Sequence, residues 1–149
     1  MVREMDRRVG YQLGIVSHLL QNAYNNKLSE YGLTTSQAKV LYVLNKQGNM
    51  LQAEIQKYLY IQSSTMNGIM ESMLKRELIN KQDDKNDRRS KMISLTEKGR
   101  ELEETFWEEL SSLEMEITKG LSEEEQQLLL VWLKRVKTNI ENLTENKQR

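Results

Sequence analysis

Apolar residues recur every three or four positions along most of this chain, which is the spacing of one face of an α-helix. Thr34 with Gln37 forms a capping-box motif, and Ser122 precedes three glutamates, so both positions are typical of helix starts. Gly32 and Gly120 suit the turns before those starts. The pattern predicts helices at about residues 8–30, 34–48, 51–59, 63–76, 96–120 and 122–143.

One stretch, residues 79–95, does not follow the helical spacing. Its end, Lys91 to Leu95, alternates polar and apolar side chains as a half-buried β-strand does. Before that end lies a run of Asp, Asn, Arg and Lys that is too polar to be buried. The stretch therefore predicts a β-hairpin with a long charged tip.

The two helices before the hairpin are short and are separated by a three-residue link, Tyr60–Gln62. These are the proportions of a helix-turn-helix, in which the start of the second helix enters the major groove of DNA. Short hydrogen-bonding side chains at that start suit contact with base edges. The fold class predicted is mainly α with a small β-hairpin, a winged helix-turn-helix with a helical dimerisation region. The candidate recognition residues are Ser63, Ser64, Thr65 and Asn67.

The first helix and the last two helices carry long apolar stripes that a single winged helix-turn-helix does not need. We expect these stripes to pair with each other and with a second copy of the chain, because exposed apolar seams favour association. A monomeric bundle, in which the stripes cover one another, is the alternative. The expected domains are 1–33, an N-terminal dimerisation helix; 34–98, the DNA-binding domain; and 99–149, the C-terminal dimerisation helices.

The formal net charge of zero hides an uneven distribution. Residues 1–50 hold six basic and three acidic side chains, residues 51–100 hold ten and seven, and residues 101–149 hold six and twelve. A basic middle beside an acidic last third favours a polyanion partner for the middle. An ordinary solvated surface is the alternative interpretation of charge alone.

The composition argues against several classes of function. No cysteine is present, which excludes disulfides, thiolate zinc sites and thiol redox sensing. The single histidine, His18, leaves no basis for a His-His metal site or a Ser-His-Asp triad. Adjacent glutamates such as Glu103 and Glu104 are expected to form solvated faces. We therefore expect no enzyme activity, cofactor or metal, and, without a long apolar run or a signal peptide, a cytoplasmic protein that does not associate with membranes.

The segment from Asp87 to Gly99 resembles the wing motif of the MarR family of bacterial transcription regulators, an Asp-x-Arg followed by an alternating strand and Leu-Thr-x-x-Gly. The resemblance implies a homodimer that binds a pseudo-palindromic operator on double-stranded DNA, usually as a repressor. It implies that Arg89 enters the minor groove and that Asp87 holds this arginine through a charge-assisted hydrogen bond. The wing residues implied to contact phosphates are Lys85, Arg88 and Lys91.

The same resemblance implies a pocket for a small aromatic or amphipathic effector between the dimerisation helices and the DNA-binding lobe. The candidate lining residues are His18, Asn22, Tyr42 and Trp107. Three of them have a plainer interpretation: His18 as a structural histidine, and Tyr42 and Trp107 as core. The chain departs from the family pattern at four positions near the helix-turn-helix, namely Gln56, Tyr60, Gly68 and Glu77.

A winged helix also serves as a protein–protein interaction module, so an assembly domain without sequence-specific DNA binding is the alternative function. The basic tip of the hairpin favours DNA. The sequence leaves open the operator, the target genes, the effector and the sign of regulation.

Overall fold

The computed structural model describes residues 4–147, which form six α-helices, one short 3-10 helix and three β-strands. The chain order is a 3-10 helix (Met5–Arg7), α1 (Val9–Ser29), α2 (Thr35–Gln47), β1 (Met50–Leu51), α3 (Gln52–Leu59), α4 (Ser63–Lys75), β2 (Ile79–Asp83), β3 (Lys91–Leu95), α5 (Glu97–Ile117) and α6 (Glu123–Glu145). The predicted fold class and all six predicted helices are confirmed, and the hairpin is β2 with β3.

The sheet has one strand more than the sequence predicts. Met50 and Leu51 form β1, which pairs antiparallel with β3, so the strand order is β1-β3-β2. The helical spacing predicts Leu51 in the third helix, but this residue lies in β1, just before α3 begins. The prediction is wrong here because two residues are too few to show an alternating pattern.

The described residues divide into two compact units, with the boundary between Leu110 and Ser111 inside α5. The first unit contains the hydrophobic core, and α2 is its centre, since five apolar residues of that helix are buried. The buried apolar residues are Leu28, Leu33, Ala38, Val40, Leu41, Val43, Leu44, Ile55, Met66, Met70, Met73, Leu78, Ile79, Ile93 and Phe106.

The Leu-Thr-x-x-Gly end of the wing motif has a packing function. Thr96 caps α5, because its Oγ1 accepts a hydrogen bond from Gly99 N at 3.0 Å, and it also donates to Glu77 O at 2.7 Å. A Cβ on Gly99 would lie 2.1 Å from Leu78 O. Only glycine therefore lets the start of α5 approach the backbone that leads into β2.

The second unit consists of the end of α5 and α6. Ser122 and Glu125 form a reciprocal capping box at the start of α6, as the sequence predicts for Ser122. No described residue of α6 is buried, and Trp132 and Leu143 are 53% and 67% exposed. None of the helices in residues 4–147 is both long and apolar enough to cross a membrane.

Candidate nucleic-acid interface

The exposed face of α4 carries all four candidate recognition residues. Met66, Met70 and Met73 lie on the opposite face and are buried, which fixes the rotation of the helix about its axis. The helix starts at Ser63 after a turn in which Tyr60 has a left-handed backbone, with φ of 55°. The residues thereby left in solvent are Ser63, Ser64, Thr65 and Asn67.

Arg76 anchors the C-terminal end of α4 to the turn between α1 and α2. Its guanidinium donates to the carbonyl oxygens of Gly32 at 2.6 Å and Tyr31 at 3.0 Å. Tyr31 in turn donates its hydroxyl to Glu109 on α5 at 2.7 Å, a bond that raises the pKa of the tyrosine. The end of α4 is thus held by side-chain bonds as well as by the core.

Two glutamines on α3 hold side chains of α4. Gln52 Nε2 donates to Asn67 Oδ1 at 2.9 Å, and Gln56 Nε2 donates to Ser63 Oγ at 3.0 Å. The other polar atom of the first amide, Gln52 Oε1, is buried without a hydrogen-bond partner among the described residues. No pattern in the sequence indicates these contacts, because they depend on how α3 and α4 cross.

The wing is the hairpin of β2 and β3, which pair from Ile79 with Leu95 to Asp83 with Lys91. Its tip, residues 84–90, is closed by two backbone bonds, Asp84 N to Ser90 O at 2.9 Å and Ser90 N to Asp87 O at 3.0 Å. The tip is mainly exposed, and the charged residues there that the sequence singles out, Lys85, Asp87, Arg88 and Arg89, all lie in solvent.

Asp87 and Arg89 form a local pair in the wing tip. Asp87 Oδ1 accepts from Arg89 N at 3.0 Å and from Arg89 Nε at 3.4 Å, so the aspartate supports both the turn and the guanidinium. The Arg89 side chain is nevertheless 94% exposed. Lys91 differs, since its ammonium pairs with Asp83 across the hairpin and donates to Arg88 O at 3.3 Å.

Two candidate effector residues, Tyr42 and Trp107, stack with ring centroids 5.5 Å apart and planes 4° apart. With Asn45 and three glutamates they line an open recess of about 330 Å³ between α2 and α5. The other two candidates, His18 and Asn22, are exposed on α1. His18 lines a separate recess on α1 itself, so the four residues do not meet in one recess of the described chain.

Glu103 corrects the expectation that adjacent glutamates form solvated faces. Glu104 is exposed, but Glu103 is only 4% exposed and accepts a hydrogen bond from Asn45 Nδ2 at 2.6 Å. Burial raises the pKa of Glu103, the bond from Asn45 opposes that rise, and the charge of Glu104 adds to it. Helical spacing is the signal that could have found this position, because Glu103 lies one turn before Trp107 and close to Phe106 on α5.

No group of three or more histidine or acidic residues within residues 4–147 is arranged to hold a metal ion. The described site offers exposed donors on α4 and guanidinium groups on the wing. These groups suit binding to bases and phosphates.

Comparison with known proteins agrees with this geometry. The sequence model of the MarR family matches residues 33–91. Residues 33–91 therefore carry a domain of the MarR family. The crystal structure of a complex of S. aureus MepR with DNA superposes with a TM-score of 0.81 and 26% identity, over 89% of this chain and 98% of that chain.

The curated relatives match this chain over a smaller part of their own length. The Pseudomonas putida repressor NicR is 34% identical over 56% of this chain and 58% of its own length. The Bacillus subtilis regulator YwaE is 27% identical over 76% of this chain and 66% of its own length. The chain thus spans less than two-thirds of each of these two relatives.

Two departures from the MarR pattern have a visible structural consequence. Glu77 stands where the family often has glycine, and it adopts a left-handed backbone with φ of 58° two residues after α4 ends. Tyr60, in the helix-turn-helix turn, does the same. Side chains with a Cβ disfavour this region, so both turns are strained in this chain.

Proposed function

We propose that the chain acts as a homodimer that binds a pseudo-palindromic DNA operator and represses transcription in the cytoplasm. The observation that carries the proposal is the pairing of two exposed elements: the polar face of α4 and the arginine-tipped wing. The first suits base edges in the major groove, and the second suits phosphates and the narrow minor groove. The relative NicR is named a transcriptional repressor, which supports the sign of regulation.

In this proposal α4 reads bases through Ser63, Ser64, Thr65 and Asn67. On the wing, Arg89 enters the minor groove while Asp87 orients it, and Lys85 and Arg88 contact phosphates. Lys91 is already paired with Asp83, which offsets its charge, so we assign it the weakest contribution of the wing cations.

Exposed apolar side chains on α1 and α6 support association with a second copy of the chain. On α1, Val9 and Leu19 are 65% and 60% exposed, and α6 exposes Trp132 and Leu143. Surfaces of this kind favour association, and a two-fold dimer presents its two α4 helices to half-sites about one DNA turn apart.

Selection of bound duplexes from random DNA by the full chain tests the proposal. We expect a two-fold symmetric motif with half-site centres about 10 base pairs apart, bound by two protomers as measured by sedimentation. Selection of no sequence, or of a single unpaired half-site by one protomer, would contradict it.

We further propose that a small aromatic effector binds the recess of Tyr42 and Trp107 and shifts the dimer to a population with weaker DNA affinity. Asn45 and the glutamates of the lining favour a ligand that donates hydrogen bonds or carries positive charge. In a Trp132→Phe variant Trp107 is the single tryptophan of the chain. We expect benzylamine to quench its fluorescence at lower concentration than benzoate, and the reverse order would contradict the proposed polarity.

We propose that the chain acts by binding alone. The match of residues 33–91 to a family of regulators supports this view, as does a described site composed of hydrogen-bond donors and cations rather than a nucleophile with a base.

A further inference from the structure

The two glutamines of α3 suggest how base preference is set. We propose that Gln52 is a positioning residue that holds Asn67 as a hydrogen-bond donor and thereby directs it to guanine rather than adenine. This inference rests on the proposed function, since it concerns the same α4 surface. It adds a specificity determinant that does not itself face the bases.

The direction of the bond between Gln52 and Asn67 determines what Asn67 can offer to DNA. Gln52 Nε2 is the donor and Asn67 Oδ1 is the acceptor, at 2.9 Å. The Asn67 carbonyl therefore has one of its two lone pairs engaged by Gln52, which turns it toward α3, while the two N–H groups of Asn67 Nδ2 are left to bind a ligand. A side chain that is normally both donor and acceptor is biased to act as a donor.

The base edges differ in whether they accept this donor. In the major groove guanine presents two acceptors, N7 and O6, whereas adenine presents the N7 acceptor beside the N6 donor. An unrestrained asparagine pairs with adenine through its carbonyl and its amide together. When the carbonyl of Asn67 is turned toward Gln52, that bidentate pairing with adenine is disfavoured and an acceptor-only edge fits better.

A second bond between α3 and α4 has the same direction. Gln56 Nε2 donates to Ser63 Oγ at 3.0 Å, so the hydroxyl hydrogen of Ser63 is left to donate outward. Two side chains of the α4 surface are thus biased alike. The sequence departs from the MarR family pattern at Gln56, which makes this preset surface a property of this chain.

The burial of Gln52 restrains its side chain. Its Oε1 is enclosed by the protein although no described residue donates to it, and its Nε2 is held by the bond to Asn67. The Gln52 side chain is half-buried, whereas Asn67 is exposed. Gln52 is therefore the more restrained of the two residues, which suits it to orient Asn67.

The test replaces the donor with a pure acceptor. In Gln52→Glu the introduced carboxylate can only accept, so the Asn67 amide should turn over, donate inward and present its carbonyl to DNA. For the wild-type chain we expect a change from guanine to adenine at the base facing Asn67 to weaken binding about tenfold. For Gln52→Glu we expect the preference at that position to move to a base with an exposed donor, adenine or cytosine.

The controls separate orientation from charge and from folding. Gln82→Glu adds the same charge on exposed β2 and should leave the preference unchanged. Gln52→Leu removes the bond along with the buried carbonyl and should abolish the discrimination without inverting it. The second variant keeps the test decisive if Gln52→Glu fails to fold, since retained guanine preference in Gln52→Leu would overturn the inference.

The outcomes distinguish this inference from the proposed function. A wild-type chain that selects no DNA sequence contradicts the proposed function. A wild-type chain that selects a two-fold motif, but whose preference facing Asn67 is for adenine or is unmoved by Gln52→Glu, contradicts the role of Gln52 alone.

Discussion

The recognition helix α4 and the wing are the two elements proposed to touch DNA, and they are built in opposite ways. On α4 three methionines are buried, Arg76 anchors the far end, and glutamines of α3 fix the direction of two exposed side chains. The wing tip has its own local bonds, and Arg89 extends into solvent. Hydrogen-bond readout of bases requires preset geometry, whereas attraction to phosphates acts over several ångströms and tolerates less exact placement.

The largest expected effect is a loss of folding stability at Gly99, where the start of α5 packs against the backbone that leads into the wing. In Gly99→Ala the new Cβ would meet Leu78 O at 2.1 Å, so the backbone before β2 must shift. We expect the free energy of unfolding to fall by about 1–3 kcal/mol in a denaturant titration.

The matched control is Gly68→Ala on the exposed face of α4, where an added Cβ has nothing within 4 Å. Alanine is the better helix former there, so we expect stability to rise by up to about 1 kcal/mol. Equal effects at the two glycines would remove the distinction between a tightly packed wing attachment and an open helix face.

Arg89→Ala tests whether the wing supplies affinity. We expect a loss of roughly 1–3 kcal/mol of DNA binding in a titration at fixed salt. Lys119→Ala, which removes the same charge from an exposed turn in the second unit, should have a much smaller effect. If both variants bind as the wild type does, the wing does not contribute to DNA binding.

Glu77 lies in the link between α4 and the wing, and its left-handed backbone is strained. Glu77→Gly should relieve that strain and raise the unfolding free energy by up to about 1 kcal/mol, because glycine adopts this region readily. Glu71→Gly, within α4, should lower it by about 1 kcal/mol. A loss of stability in both variants would show that the link carries no strain.

The smallest expected effect is a pH-dependent change in stability that comes from Glu103, which lines the recess between α2 and α5. The raised pKa of Glu103 means that the folded state favours the protonated acid, so the wild type loses stability as pH rises from below 4.5 through that pKa. Glu103→Gln keeps an acceptor for Asn45 without the charge. We expect it to stabilise the chain at pH 7 but not at pH 4 in thermal unfolding, while exposed Glu101→Gln shows no such change.

Much of the architecture could be predicted because it follows from local patterns. The spacing of Met66, Met70 and Met73 predicts which face of α4 is buried, and therefore that Asn67 is exposed. The caps at Thr34 and Ser122 are local as well, and both are confirmed.

What could not be predicted depends on contacts between distant parts of the chain. The Gln52–Asn67 bond joins residues on two helices, and β1 exists only because β3 lies beside it. Glu103 is expected to be a solvated acid until Asn45 and the packing of α2 against α5 are known. The roles assigned to His18, Asn22, Tyr42 and Trp107 in effector binding stay predictions.

The central claim is that this chain holds DNA through cations of the wing and donors of α4. A log–log titration of DNA affinity against salt, with the wild type and Arg89→Ala compared on the same selected duplex, tests it most directly. We predict a steep negative slope for the wild type, because several counterions are released, and a shallower slope for Arg89→Ala, because one cation fewer displaces counterions from the duplex. A flat slope for the wild type would contradict the claim and would favour a protein partner for this winged helix.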